Sequence, residues 1–412
     1  MLIGAFAAAV SNLFTGTHAE PSPREEENDR DGAKSWKRFL WATTKYFAAF
    51  AALMAVGGLL LAASGIIPIK ASSRHWAITK WFLNFSSQRS VSTHTIGMDV
   101  PPLDDAALVL KGAGTYESNC RGCHGSPSIH SPRVTHHMTP QPPYLPTVLH
   151  EWDDAELFYI VKHGIKFAGM PAWPTQQRDD EVWAMVAFIR LLPGINVDEY
   201  RRLTGTNAEL NGYAVPLERR VAPTNVPVAI TTSCARCHGF DGLGRGTGAF
   251  PKIAAQSSVY LYHSLLAYER SDRHSGVMGP VAAVLSKDEM IELANYYASL
   301  RPPKITSFPA VADVEAVERG RQIALEGVPG QRIPSCIACH GPSTLPRNPA
   351  FPRLAGQYSD FLSQQLRLFR QDRRGGSDYG DIMRRIAVRL SDRQASDLAL
   401  YYSSLPPGEH EK

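Results

Sequence analysis

The sequence predicts an all-α chain in which one N-terminal transmembrane helix is followed by three tandem helical modules. Three observations predict it. Residues 47–67 are 21 consecutive residues without a charge, enough at 1.5 Å per residue for about 30 Å, the thickness of a bilayer's hydrocarbon core. All six cysteines fall into three Cys-x-x-Cys-His motifs, Cys120/Cys123/His124, Cys234/Cys237/His238 and Cys336/Cys339/His340. Apolar residues around them recur at helical spacing, and no strand-rich segment of any length appears. A chain of 412 residues is long enough for several domains. With 20% charged residues and a formal net charge of +4, it is a folded protein, neither disordered nor nucleic-acid-binding.

Taken in order, residues 1–46 read as a cytoplasmic arm containing the solvated stretch PSPREEENDRD. MLIGAFAAAV at the start lacks the basic region of a signal peptide. Residues 47–67 are the membrane span. Lys34, Lys37, Arg38 and Lys45 precede it, against Lys70 and Arg74 after it, so the positive-inside rule puts the N-terminus in the cytoplasm. Residues 68–105 read as a tether, whose aromatic run from Trp76 through Trp81 to Phe85 suits a membrane surface.

The second and third modules repeat one another. Phe250-Pro251-Lys252-Ile253-Ala254-Ala255-Gln256 answers Phe351-Pro352-Arg353-Leu354-Ala355-Gly356-Gln357. Met278 and Met383 are each followed by a Leu-Ser pair and then by a Tyr-Tyr pair, Tyr296-Tyr297 and Tyr401-Tyr402. Ser286, with Glu289 three residues on, and Ser391 read as N-caps of closing helices. The first module follows the plan more loosely. A helix precedes Cys120, and DDEVWAMVAFIRLLPG places Val182, Met185, Val186 and Ile189 on one helical face. A leading helix is clear in the third module, around VEAVERGRQIALEG. The modules are placed at 106–193, 222–303 and 311–406, with 194–221 and 301–310 as linkers.

Cys-x-x-Cys-His is the pattern of covalent c-type haem attachment, since two thioether bonds need cysteines at a fixed separation and the adjacent histidine must reach the iron. Three covalently bound haem c groups are therefore expected, on Cys120, Cys123, Cys234, Cys237, Cys336 and Cys339. His124, His238 and His340 are the expected proximal ligands. Structural zinc would need four ligands at each site, and no cysteine is left over. In the third module Met383 is the sole methionine after His340, and no histidine follows before His410, so Met383 is the expected sixth ligand. Met278 follows by register, with Met290 set aside as helix core and His263 and His274 as rivals. Met170 lies 46 residues after its histidine, close to the 40 and 43 of the other modules. Its rivals are Met138, His130, His136, His137, His150 and His163. The arginines Arg367, Arg370, Arg373, Arg374, Arg384, Arg385 and Arg389 around Met383 suit haem propionates, an acidic partner or a solvated helix face.

On these residues the modules resemble class I cytochromes c. The last two are similar to tandem dihaem cytochromes c4, through the Phe-Pro-x-Leu-Ala-Gly-Gln stretch and the Met…Leu-Ser-Asp…Tyr-Tyr ending. The second module departs at Ile253 and Ala255 and inserts Lys287 before Asp288. The chain as a whole resembles membrane-anchored cytochrome c subunits of periplasmic dehydrogenases that oxidise alcohols, gluconate or aldehydes. That resemblance implies haem modules in the periplasm, bound to the bacterial inner membrane by a single pass. It also implies one-electron transfer without catalysis, from a periplasmic dehydrogenase towards the quinone pool, an oxidase or another cytochrome. A general relay between a quinol-oxidising complex and an oxidase is the alternative, and a haem peroxidase or reductase with one open site is a third reading.

Overall fold

The computed structural model describes residues 23–67, 70, 72–205, 226–227, 229–245, 248–302, 313–341, 347–377 and 379–407. Among them no strand forms, and β-pairing is limited to isolated bridges such as Ile165 with Met170. The fold of the described residues is all-α. The chain divides into two compact units, Met1–Ser73 and Arg74–Lys412.

The first unit is one helix, α1, Pro23–Ala63. Its segment Trp36–Ala63, 28 residues with a mean hydropathy of 2.1, is long and apolar enough to cross a membrane. This segment begins eleven residues before the expected span at 47–67 and ends four residues before it does. Gly65 at φ +68° follows the end of the helix at Ala63. The acidic stretch expected to be a solvated arm is helical from Pro23 onward. Residues 1–22, including the apolar start, lie outside the described residues.

The second unit begins with α2, Ala77–His94, in the segment expected to be a tether. Its far end joins the first module: Val91 is buried and Ser92 donates to Glu156 at 2.5 Å. Its first half stays exposed, with Trp76, Trp81, Phe82 and Phe85 at the surface. Next come α3, Ala106–Asn119, α4, Asp154–His163, α5, Asp179–Leu191, and α6, Val197–Thr204. The α5 periodicity is as the sequence predicts: Val182, Met185, Val186 and Ile189 are all buried. Helices α3 and α5 cross at Gly112, where an added Cβ would lie 2.0 Å from the Ala184 carbonyl oxygen. Helix α6 falls inside the expected linker, yet Tyr200 and Leu203 complete the module's core. Tyr200 also donates to Glu117 of α3 at 2.6 Å. Sequence spacing could not show this, because the helix is short and its burial depends on α3.

The second module holds α7, Ser258–Glu269, α8, Met278–Ala283, and α9, Lys287–Ser299. Its core is small: Ile230, Ala235, Leu293 and Tyr297. The third has α10, Val314–Glu326, α11, Ser359–Arg370, α12, Gly380–Ala387, and α13, Asp392–Ser404. Here α10 and α13 cross at Gly320, whose Cβ would meet the Asp397 carbonyl oxygen at 2.1 Å. The expected caps are present. Ser286 with Glu289, and Ser391 with Gln394, form capping boxes that satisfy the first amides of α9 and α13. Most of the expected linkers, 206–221 and 303–310, lies outside the described residues.

The repeated stretches of modules two and three pair with each other as approximate two-fold mates. Gln357 accepts from the Lys252 amide (3.0 Å) and donates to the Lys252 carbonyl (2.8 Å). Gln256 does the same at Arg353, accepting at 3.0 Å and donating at 2.5 Å. Lys252 Nζ then reaches the Gly356 carbonyl, and Arg353 reaches that of Ala255. The sequence signature of the repeat is thus the joint between its copies.

Candidate haem sites

Each Cys-x-x-Cys-His motif folds as one helical turn, completed by Arg121–His124, Ala235–His238 and Ile337–His340. Residues at i, i+3 and i+4 of such a turn share a face, so the spacing presents both thiols and the imidazole to one side. Gly125, Gly239 and Gly341 follow at φ +72°, +75° and +71° and end the turn, a conformation in which a Cβ is strained. Buried tyrosines hold two of these glycines: Tyr116 donates to the Gly125 carbonyl at 2.8 Å and Tyr297 to that of Gly239 at 3.2 Å.

The histidines share a partner that the sequence reading missed. His124 Nδ1 lies 3.0 Å from the Pro143 carbonyl, His238 Nδ1 3.1 Å from that of Pro251, and His340 Nδ1 3.0 Å from that of Pro352. With Nδ1–H donated, Nε2 keeps its lone pair for a metal, and the ring is fixed in orientation. Burial holds all three imidazoles below the usual histidine range, against the opposing pull of the carbonyl. They are therefore neutral, as a ligand must be. The available signal was Phe-Pro in both repeat copies, where the proline carbonyl serves this purpose.

None of the six cysteines is paired in a disulfide. Burial pushes Cys120 up to about 12 and Cys234 and Cys336 up to about 11. Low-pKa nucleophiles have the opposite environment. Among the described residues no group of three or more His, Cys, Asp or Glu side chains could cage a metal.

The residues present fit haem. Beyond the donor set, the buried Tyr402 hydroxyl, beside Cys336, has no partner among the described residues. Two arginines, the buried Arg273 and the half-buried Arg374, meet across the second and third modules, each hydrogen-bonded to a neutral side chain. Arg374 donates to Gln365 at 2.6 Å and Tyr260 at 3.0 Å, and Arg273 to Gln365 at 3.2 Å. Such a pair suits the acid groups of a bound macrocycle. The arginine-rich stretch is thus not a single face. Arg370 binds Asp392 and the Leu390 carbonyl, Arg384 pairs with Asp372, and Arg389 donates to the Arg332 carbonyl.

The three methionines are half-buried. Met170 stands in a turn closed by its carbonyl and the Ile165 amide at 3.1 Å, with its rival Met138 against Gly169. Met278 opens α8 and Met383 lies within α12. Met290 is fully buried in α9, as a core residue would be. Of the histidine rivals, His130 packs on Tyr144, His163 on Tyr159 and His263 on Tyr262.

Residues 107–189 match the family model described as cytochrome c oxidase, cbb3-type, subunit III. The thiosulfate dehydrogenase electron acceptor of Stutzerimonas stutzeri is 36% identical over 174 residues, 42% of this chain and 79% of that protein. Cytochrome c4 of Thiocapsa roseopersicina is 33% identical over 177 residues, 42% of this chain and 86% of that protein. Among solved structures, Acidithiobacillus ferrooxidans cytochrome c4 is 34% identical, covering 42% of this chain and 98% of its own, with a TM-score of 0.37. Motif and relatives agree: the chain belongs to the class I cytochromes c, with kinship to cytochrome c4, a family whose members carry covalently bound haem c.

Proposed function

We propose that the chain is a membrane-anchored tri-haem cytochrome c that passes single electrons from a periplasmic dehydrogenase towards the respiratory chain. The threefold recurrence of one arrangement supports it best: two cysteines outside any disulfide and a neutral imidazole on one helical turn, with Nδ1 held by a proline carbonyl. In this reading Cys120 and Cys123, Cys234 and Cys237, and Cys336 and Cys339 anchor the haems. His124, His238 and His340, together with Met170, Met278 and Met383, would hold the irons. Bound haem would supply reversible one-electron transfer. The chain's residues would hold each iron without an open position, exclude water, and at Arg273 and Arg374 neutralise acid groups. No position is left for a substrate, so the chain is a carrier and not an enzyme.

The modules are assigned to 106–193, 222–303 and 311–406, the first extended through α6. The single span Trp36–Ala63 is assigned to the bacterial inner membrane, with the modules in the periplasm. The relative named for thiosulfate dehydrogenase supports a dehydrogenase donor, and sulfur-compound oxidation thereby joins alcohol, gluconate and aldehyde oxidation as the donor's chemistry. The acceptor is the quinone pool, an oxidase or another cytochrome.

The test is isolation from native membranes in mild detergent, a haem count per chain, and optical reduction by thiosulfate, alcohols, aldehydes, sugar acids and quinol. Three haems, inert to carbon monoxide and reduced by one substrate together with a co-purifying catalytic chain, is the expected result. Reduction by a quinol-oxidising complex alone would overturn the dehydrogenase donor, and a high-spin haem that binds carbon monoxide would overturn the carrier.

A further inference from the structure

The first module grips the methionine loop of the second. Glu181, in the first turn of α5, has a side chain only 10% exposed. Its Oε1 accepts from Ser275 Oγ at 2.6 Å and its Oε2 from the Gly276 amide at 2.6 Å. Arg178 stands 3.0 Å from the same carboxylate and donates to the His274 carbonyl at 2.8 Å. Ser275 Oγ in turn accepts from the amides of Val277 at 3.2 Å and Met278 at 3.0 Å. A continuous chain of hydrogen bonds thus runs from the Glu181 carboxylate through one hydroxyl to the backbone of Met278.

Packing reinforces it. Trp173, three residues after Met170, lies so close to Gly276 that an added Cβ would fall 2.0 Å from its indole nitrogen. Val277 packs against the first module's core. The other two methionines have local supports, Met170 a turn of its own module and Met383 the body of α12.

We propose that Glu181 is a positioning residue of the first module that sets the axial methionine of the second, so that the potential of the second haem depends on the joint between the two modules. The proposal rests on Met278 being that ligand. A carboxylate offers two acceptor oxygens and serves two donors of one loop, whereas a glutamine offers one. Glu181→Gln therefore releases either Ser275 or Gly276 without changing side-chain size.

The experiment uses the full-length membrane protein and reads two signals: the weak red charge-transfer band of methionine-ligated ferric haem, and the haem midpoint potentials from a spectroscopic titration. Met278→His defines the second module's share of the band. Glu181→Gln should weaken that share and shift one potential, the others staying as in wild type. Gly276→Ala, which drives a methyl into the Trp173 indole whose N–H also donates to Glu181 Oε2 at 3.4 Å, should do the same, and the unmoved potentials report that both variants are folded. If Met278→His leaves the band intact, the ligand reading falls. If Met278→His removes its share but both joint variants match wild type in band and potentials, the positioning role alone is overturned.

Discussion

Replacing Gly112 by alanine puts the fold logic of the first module to a quantitative test. The new Cβ would stand 2.0 Å from the Ala184 carbonyl oxygen and 2.7 Å from Phe188 Cβ, roughly 1.4 Å inside ordinary contact with the former. The obstacle is backbone, so α3 and α5 must part. Overpacking of this kind costs about 1–3 kcal/mol, and a rigid neighbour puts it at the upper end. Alanine returns about 1 kcal/mol through its better helix propensity. The expected net loss is about 2 kcal/mol, which lowers the melting temperature by roughly 8–16 °C if the module unfolds as its own unit. Far-UV circular dichroism on the full chain in detergent measures this, with Gly330→Ala, which meets nothing within 4 Å, as the neutral control. A Gly112→Ala protein that melts with or above wild type would refute the close crossing.

Other perturbations probe the sites and joints. Tyr116→Phe leaves the Gly125 carbonyl without its 2.8 Å donor and should cost about 1–3 kcal/mol in urea denaturation. Gln357→Ala removes both bonds to Lys252 and should cost about 1–3 kcal/mol; Gln256→Ala should cost a similar amount, and a clear inequality would argue against two-fold equivalence. For Asp180, burial raises the carboxyl, but its hydrogen bonds with Arg178 and the charges of Arg178 and Lys111 outweigh that and hold it below the usual range. A depressed carboxyl stabilises the fold above its unfolded pKa of about 3.9 and loses that stabilisation as pH falls through its folded value. The stability difference between wild type and Asp180→Asn should therefore be flat from neutral pH down to about pH 4 and shrink below it; a difference that grows on acidification would contradict the pairing.

Much of the site is legible in the sequence because its chemistry is written as local spacing. Cysteine and histidine at i, i+3 and i+4 share a face wherever a helical turn forms, and one forms at each of the three motifs. Capping is equally local, and Ser286 and Ser391 perform it. Helix α6 was missed because a short helix in a polar segment carries no periodic signal strong enough to set it apart from a linker. The apolar helix segment reaches back to Trp36, beyond the uncharged run at 47–67, because Trp36, Phe39, Leu40 and Trp41 are interleaved with basic residues, which a search for uncharged runs excludes.

By itself the sequence determined the helical class, the three Cys-x-x-Cys-His turns, the repeat register and the closing helices, all of them properties of neighbours along the chain. Tertiary structure alone decided which carbonyls hold the histidines, that Gln256 and Gln357 join the repeat copies, and that Glu181 reaches Ser275 and Gly276 in another module. These contacts span from 12 to 105 residues of sequence. A hydrogen bond over that distance exists only once packing has brought its two ends together, and no local pattern of residues encodes it.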